Sequence, residues 1–196
     1  GSVESPVGTL TSIQSLTPSK GQPIVLYYDP NPPSNLRVPP PRVFSVSSVQ
    51  SAEIQIHYLS AGEVVDIYTC YAWPNDAKAA FNYAAEIWES LLDSAVPIEI
   101  DACWTEMSGK ALGGSYSNYV INSSTFTFYQ ESLGNSLTAS NIEPDDPDMT
   151  IVYNRLFDWY YGTDGNTIPG AIDFASVVLH EIGHGLGFGG LMTVIG

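Results

Sequence analysis

The segment His180-Glu181-Ile182-Gly183-His184, set in an otherwise apolar stretch from Phe174 to Phe188, constrains this chain more than any other feature. In a helix, residues four apart project from one face, so imidazoles at 180 and 184 aim at a common point. The chain has three histidines, His57, His180 and His184, and two of them fall at this spacing with a glutamate between them. Ionisable groups in an apolar helix are costly to bury without partners, so a metal explains the pair better than packing does. A chance pattern in a buried helix is the alternative. Asp173 is placed to cap the helix, its carboxylate accepting the free amide protons of the first turn. A ligand role for Asp173 is the other reading, about two turns from His180. Gly183, Gly185 and Gly187 each weaken a helix, so the helix is expected to end near Gly185 to Gly187 in a sharp turn.

The donor set points to zinc, which binds imidazole well, needs no redox partner and acidifies a bound water to near neutrality. Glu181, next to the first histidine, is expected at the rim of the site, where its carboxylate takes a proton from that water. Two histidines and a base make a hydrolytic centre.

The pattern His-Glu-x-x-His-x-x-Gly is matched by His180, Glu181, His184 and Gly187, and it resembles the active-site signature of the metzincin clan of zinc endopeptidases. In that family a histidine or aspartate three residues after the glycine completes the zinc triad; here that position is Gly190. From Phe188 to Gly196 there is no aspartate, glutamate or histidine. Other zincins take the third ligand from a separate downstream element, and the twelve residues after His184 (196 minus 184) are too few to form one. The chain is therefore expected to be the N-terminal part of a longer protein.

Upstream, Val64 to Tyr71 is rich in β-branched and aromatic residues and predicts a strand, with Pro74-Asn75-Asp76 supplying turn and cap chemistry. Apolar residues at Ala77, Ala80, Phe81, Ala84, Ile87, Trp88, Leu91 and Leu92 predict an amphipathic helix over 77–92. Pro97 to Trp104 predicts a strand with Ile98, Ile100, Ala102 and Trp104 on one face and Glu99, Asp101 and Cys103 on the other. Asn118 to Asn122 and Phe126 to Tyr129 suggest short strands, Gln130 to Leu137 a short helix, and Met149 to Asn154 a further strand. A polar loop, Gly162 to Gly170, then leads to the histidine helix. The order resembles a zincin N-terminal subdomain over roughly 53–188. The implied class is α+β, a twisted mixed sheet with a backing helix and an active-site helix. In zincins an exposed edge strand pairs with an extended peptide substrate. Leu112 to Tyr119, with its small residues, suits that role, and a flexible loop is the plainer reading.

A formal net charge of −15, from 21 acidic and 6 basic residues, argues against a nucleic-acid partner. No apolar run is long enough to cross a membrane. Few lysines and arginines beside 12 tyrosines and 4 tryptophans suit a secreted protein. Cys70 and Cys103 end the first two expected strands and bridge if those strands are neighbours; two buried thiols are the alternative. Residues 1–50 form a Pro-rich arm or small β extension, with a strand expected over Ile24 to Tyr28, and residues 51–196 form the zincin-like domain, without its C-terminal subdomain. Asp145, Asp146 and Asp148, and separately Asp164, offer oxygen ligands for Ca2+, but neither group completes a calcium-loop pattern and a solvated acidic loop is favoured. His57, on an alternating strand over 53–59, is expected to be a surface or satisfied histidine. The leading functional expectation is a secreted zinc endopeptidase acting on protein or peptide, with His180 and His184 on the metal and Glu181 as base. A catalytically incomplete zincin-like extracellular binding module is the alternative, and hydrolysis of a non-peptide bond is a third.

Overall fold

A computed structural model of the chain describes residues 23–30, 51–122 and 127–189. Gly190, Phe126 and most of the Pro-rich arm lie outside these residues. Among the described residues are three helices and eleven strands, so the class is α+β. Five strands form one mixed sheet in the order β1 (Ile24–Tyr27), β6 (Ala111–Ser117), β9 (Met149–Asn154), β5 (Ile98–Thr105), β2 (Ile54–Tyr58). β2, β5 and β9 run parallel, whereas β6 is antiparallel to both β9 and β1.

A parallel pair needs a crossover, and between β2 and β5 it is helix α1 (Asn75–Glu89). Its apolar positions recur at helical spacing, which buries Ala77, Ala80, Phe81, Ala84 and Ala85 against the sheet. Helix α3 (Phe174–Gly185) packs on the same face, laying Phe174, Val177, Val178 and Ile182 into the core it shares with α1. The sheet side of that core is the expected face of β5, Ile98, Ile100, Ala102 and Trp104, joined by Met149, Ile151 and Tyr153 of β9. Aromatic rings fill its centre: Tyr153 meets Phe81 at 5.6 Å and Phe174 at 5.1 Å in edge-on contacts.

The other sheet face carries a smaller core of Leu59, Cys70, Cys103, Met107, Ala111, Tyr116 and Val152. Here the single strand expected over Val64 to Tyr71 is instead a hairpin of β3 (Val64–Val65) and β4 (Tyr68–Thr69). Asp66, with φ at 53°, turns the chain between them, a left-handed conformation that aspartate tolerates better than branched residues do. Cys70, just after β4, forms a disulfide with Cys103 of β5, with Cα atoms 5.2 Å apart. Leu112 to Tyr119 also differs from both expectations. Its residues 112–117, with Ala111, are neither an exposed edge nor a flexible loop but a wholly buried strand, β6, covered on its outer side by β1.

After β6 come the hairpin of β7 (Tyr119–Asn122) and β8 (Thr127–Gln130) and then α2 (Glu131–Thr138). Two short parallel strands, β10 (Trp159–Tyr160) and β11 (Ile172–Asp173), bracket the polar loop before α3. No helix among the described residues is long and apolar enough to cross a membrane.

The disulfide closes a loop across a sequence separation of 33. Replacing both cysteines by serine is expected to lower unfolding free energy by roughly 2–4 kcal/mol, chiefly by freeing the unfolded chain. Urea unfolding of parent and variant at one pH measures it; equal midpoints would show that the link constrains nothing.

Candidate metal centre

Helix α3 begins as its sequence requires. Asp173 precedes it in extended conformation and its Oδ1 accepts the Ser176 N–H at 2.7 Å, while Oδ2 accepts the Thr167 hydroxyl at 3.1 Å. Both carboxylate oxygens are therefore engaged in holding the helix start to the preceding loop. At the other end the Gly187 N–H donates to the His184 carbonyl and the Phe188 N–H to that of Gly183, with Gly187 at φ 103°. This pair of bonds around a positive-φ glycine is a Schellman stop, and it sends the chain back over the helix.

That reversal orients His184. Its Nδ1 lies 2.8 Å from the Phe188 carbonyl oxygen, which can only accept, so the proton sits on Nδ1 and the neutral ring keeps its lone pair on Nε2. His180 Nε2 is 2.8 Å from His184 Nε2, so the two rings converge through the nitrogens that a metal uses. A proton on His180 Nε2 would satisfy that contact. A cation would take the proton's place, and the exposed His180 and half-buried His184 leave the point open to solvent on one side. Partial burial, and then the neighbouring His184, hold the His180 pKa below its ordinary value. The donor chemistry therefore fits zinc as far as two nitrogen ligands. Among the described residues no three His, Cys, Asp or Glu side chains gather into a metal-holding group.

Glu181 is not at the rim. It is fully buried, and both carboxylate oxygens lack a hydrogen-bond partner among the described residues. One turn of α3 presses it against β6, where a methyl placed on Gly113 would stand 3.5 Å from Glu181 Cγ and 3.0 Å from the Val152 carbonyl oxygen. Burial pushes its carboxyl up to about 8. The buried Tyr153 hydroxyl nearby is likewise without a hydrogen-bond partner among the described residues, and burial first and Glu181 second raise its pKa far above normal.

Several side chains support the site without announcing it in the sequence. Trp88 of α1 donates its indole N–H to the Leu179 carbonyl at 3.1 Å and stacks on Phe188 at 5.5 Å. It thereby fixes the residue whose carbonyl orients His184. Gly183 faces the Trp88 ring, and a methyl on Gly185 would fall 2.0 Å from Met149 Sδ. These two glycines permit close packing inside the helix, whereas Gly187 makes the turn. Beside that turn opens a pocket of about 360 Å3 lined by Leu92, Ile98, Leu133, Leu186 and Phe188 among others.

The other sequence candidates lie apart. His57, on β2 beside Asp101 of β5, places Nδ1 3.0 Å from Asp101 Oδ1. Alternation along β2 points it away from the core that α3 covers, so the sheet separates it from the histidine pair. Asp148 departs from the solvated loop expected of it: buried, it accepts the Glu99 N–H at 2.7 Å and the Asn135 amide at 2.8 Å. Asp145 and Asp146 are exposed. Asp164 accepts the Tyr160 hydroxyl and the Asn166 amides, which hold its carboxyl down at about 2.

Glu131, at the start of α2, is a second buried carboxyl, next to the Ser132 hydroxyl that donates to the Gly185 carbonyl at 3.2 Å. Among the described residues its oxygens find no hydrogen-bond partner, although the Asn118 side chain beside it favours the charged form. Burial, and then Asp148, Glu143 and Asp146, push it up to about 8; burial lifts Asp148 to about 6.

A family model described as SPBPB7E8-like matches residues 50–192, which takes in the whole histidine helix and every strand of the main sheet except β1. No curated protein and no solved structure matches the chain.

Two outcomes follow from this packing. Gly185→Ala is expected to cost about 1–3 kcal/mol, because Met149 is enclosed and must move, and a thermal melt measures it. Glu131 and Asp148 both titrate higher folded than unfolded, so the native chain holds protons that the unfolded chain has released. Their contribution is complete below about pH 4 and is lost as pH rises toward about 8. Urea midpoints should fall across that window, and less steeply in Glu131→Gln; an unchanged slope in the variant would count against the assignment.

Proposed function

We propose that this chain, which belongs to the SPBPB7E8-like family, is a secreted zinc-dependent endopeptidase built on a zincin-like subdomain. The observation that carries the reading is the convergence of His180 and His184 through Nε2 at 2.8 Å, with the buried Glu181 one residue after the first and three before the second on the same helix. The mixed sheet with α1 and α3 on one face supports the scaffold half of the proposal, and the Cys70–Cys103 link supports an oxidising compartment.

Bound zinc supplies a Lewis acid that acidifies water and polarises a peptide carbonyl. The chain's own residues do the rest. His180 and His184 would hold the ion through Nε2, and the Phe188 carbonyl keeps the His184 proton on Nδ1. Glu181 moves a proton. In the hydrolysis, water oxygen bonds to the carbonyl carbon, the C–N bond breaks, and one water proton passes through the Glu181 carboxylate to the departing amine. A third protein donor is required from outside the described residues. The pocket lined by Leu92, Ile98, Leu133, Leu186 and Phe188 offers room for an apolar substrate side chain.

A second reading, a zincin-like module that binds without cleaving, is favoured by one observation: the Glu181 carboxyl is sealed from solvent. Zinc content and peptide hydrolysis separate the two. Expected for the enzyme are stoichiometric zinc in the parent, loss of zinc in His180→Ala and His184→Ala, and zinc retained but hydrolysis abolished in Glu181→Ala, read by metal analysis and a quenched-peptide assay. Cleavage that survives Glu181→Ala would sink the mechanism. A parent that holds zinc and cleaves no peptide would leave the binding module.

A further inference from the structure

Of the buried side chains that the histidine site does not use, Glu131 is the one whose surroundings call for a partner. It opens α2, is 1% exposed, and both its carboxylate oxygens lack a hydrogen-bond partner among the described residues. Its neighbours are fixed by hydrogen bonds. The Glu131 N–H donates to the Asn118 carbonyl at 3.0 Å, the Asn118 N–H to the Asp148 carbonyl at 3.2 Å, and the Asn118 amide to the Pro147 carbonyl at 2.8 Å. One turn along α2, Asn135 donates to Asp148 Oδ1 at 2.8 Å and accepts the Ile142 N–H at 2.9 Å. Positions four apart share a helix face, so Glu131 looks onto the same 141–148 segment that Asn135 grips.

The chemistry of that enclosure is one-sided. Asn141, next to Ile142, buries an Oδ1 that also finds no donor among the described residues. Among these residues the charges acting on Glu131 come from Asp148, Glu143 and Asp146, all acidic. Between Lys78 and Arg155 the sequence holds one lysine or arginine, Lys110, which precedes β6 at the end away from Asn118. Buried acceptors are costly unless something donates to them or a cation sits among them. A single proton on Glu131 answers one oxygen and leaves the rest.

We infer that Glu131 is the interior ligand of a calcium site, with Asp148 as the second negative charge and with amide and main-chain oxygens of the 141–148 segment completing it. The donors are oxygens only, which a hard cation selects, and calcium accepts roughly six to eight of them in irregular arrangement. Magnesium holds to an octahedron and keeps several waters, which so dry an enclosure excludes. No three carboxylates meet at one point among the described residues, so amides and carbonyls carry the larger share. The exposed Asp145 and Asp146 add field and no ligand. The ion braces the histidine helix as well, because the Ser132 hydroxyl, next to Glu131, donates to the Gly185 carbonyl at the last residue of α3. The site uses no residue of the zinc centre, so loss of one leaves the other standing.

The test takes the full chain, dialysed free of calcium and held at constant ionic strength. Calcium chloride and, separately, magnesium chloride are titrated into the parent, Glu131→Gln and Asp145→Asn/Asp146→Asn, followed by calorimetry and thermal melts, and hydrogen exchange locates the ion in the parent. Expected for the parent is one calcium bound with half-saturation at or below about 1 mM, a melting point raised by about 3 °C at ten-fold higher calcium, and slower exchange in 131–138 and 141–148. Affinity should fall by on the order of a hundred-fold in Glu131→Gln, which loses ligand charge, and stay within about three-fold in the double aspartate variant, whose charges are screened by solvent. Magnesium should do little at the same concentrations. A parent that binds no calcium at about 10 mM would overturn the inference, and so would calcium held equally by Glu131→Gln. Equal stabilisation by magnesium, or slowed exchange confined to other segments, would reduce the effect to screening of the chain's net charge. Should Glu131→Gln not fold, the exchange pattern of the parent decides.

Discussion

The close seating of α3 on β6 and β9 is the constraint on which the rest of the molecule depends. It is set where side chains are missing: Gly185 lies over Met149, Gly113 lies under Glu181, and Gly183 receives the edge of Trp88. A helix bearing three ionisable residues is an awkward partner for a hydrophobic sheet. Because the glycines let it sink, the apolar stripe of Phe174, Val177, Val178 and Ile182 reaches full burial while His180 stays in solvent. The same depth drives Glu181 out of water. Fold stability and site chemistry are thus tied through one interface, and the cost of a dry, unpartnered carboxyl is borne by the aromatic core around Tyr153, Phe81 and Phe174.

Much of this was legible from residue order, for physical reasons that differ from element to element. α1 declared itself because its alanines, Phe81 and Trp88 recur at helical spacing, and β5 because apolar residues alternate from Ile98 to Trp104 with the disulfide cysteine on the opposite face. β9 and the Asp173 cap were equally plain. The histidine pair converges as its spacing requires. Illegible was whatever depended on distant partners. β6, from Ala111 to Ser117, has little intrinsic preference for a strand and gains its burial only by lying between β9 and β1. The Val64–Val65 and Tyr68–Thr69 hairpin was hidden inside what looked like one β-rich run, because nothing in the pattern marks Asp66 as the residue that turns left-handed.

The site itself divides along the same line. His180, Glu181 and His184 are a local pattern and could be named from it. What surrounds them is not local: Trp88 comes from α1, the carbonyl of Phe188 from beyond the turn, Gly113 from a strand far earlier in the chain. Glycines in the helix were legible as weak points but not as contact points, since a missing side chain says nothing of what approaches it. The burial of Glu181 and Glu131 belongs here too, because a carboxylate in a chain of net charge −15 looks like a surface group until the elements packed on it are known.

The pairing of Ile24 with Ser115 has a consequence in time as well as in space. Among the described strands synthesis delivers β1 before the others, and its ladder partner follows only after β2, α1 and β5 have been made. Even then β6 needs β9, still further along, before it has a sheet to belong to. Contacts between such remote segments form slowly, since the intervening loop entropy must be lost before any of them is rewarded. A strand made this early is therefore among the last to be placed. Until then it travels as an unpaired, apolar segment, exposed to whatever else in the cell is looking for a strand.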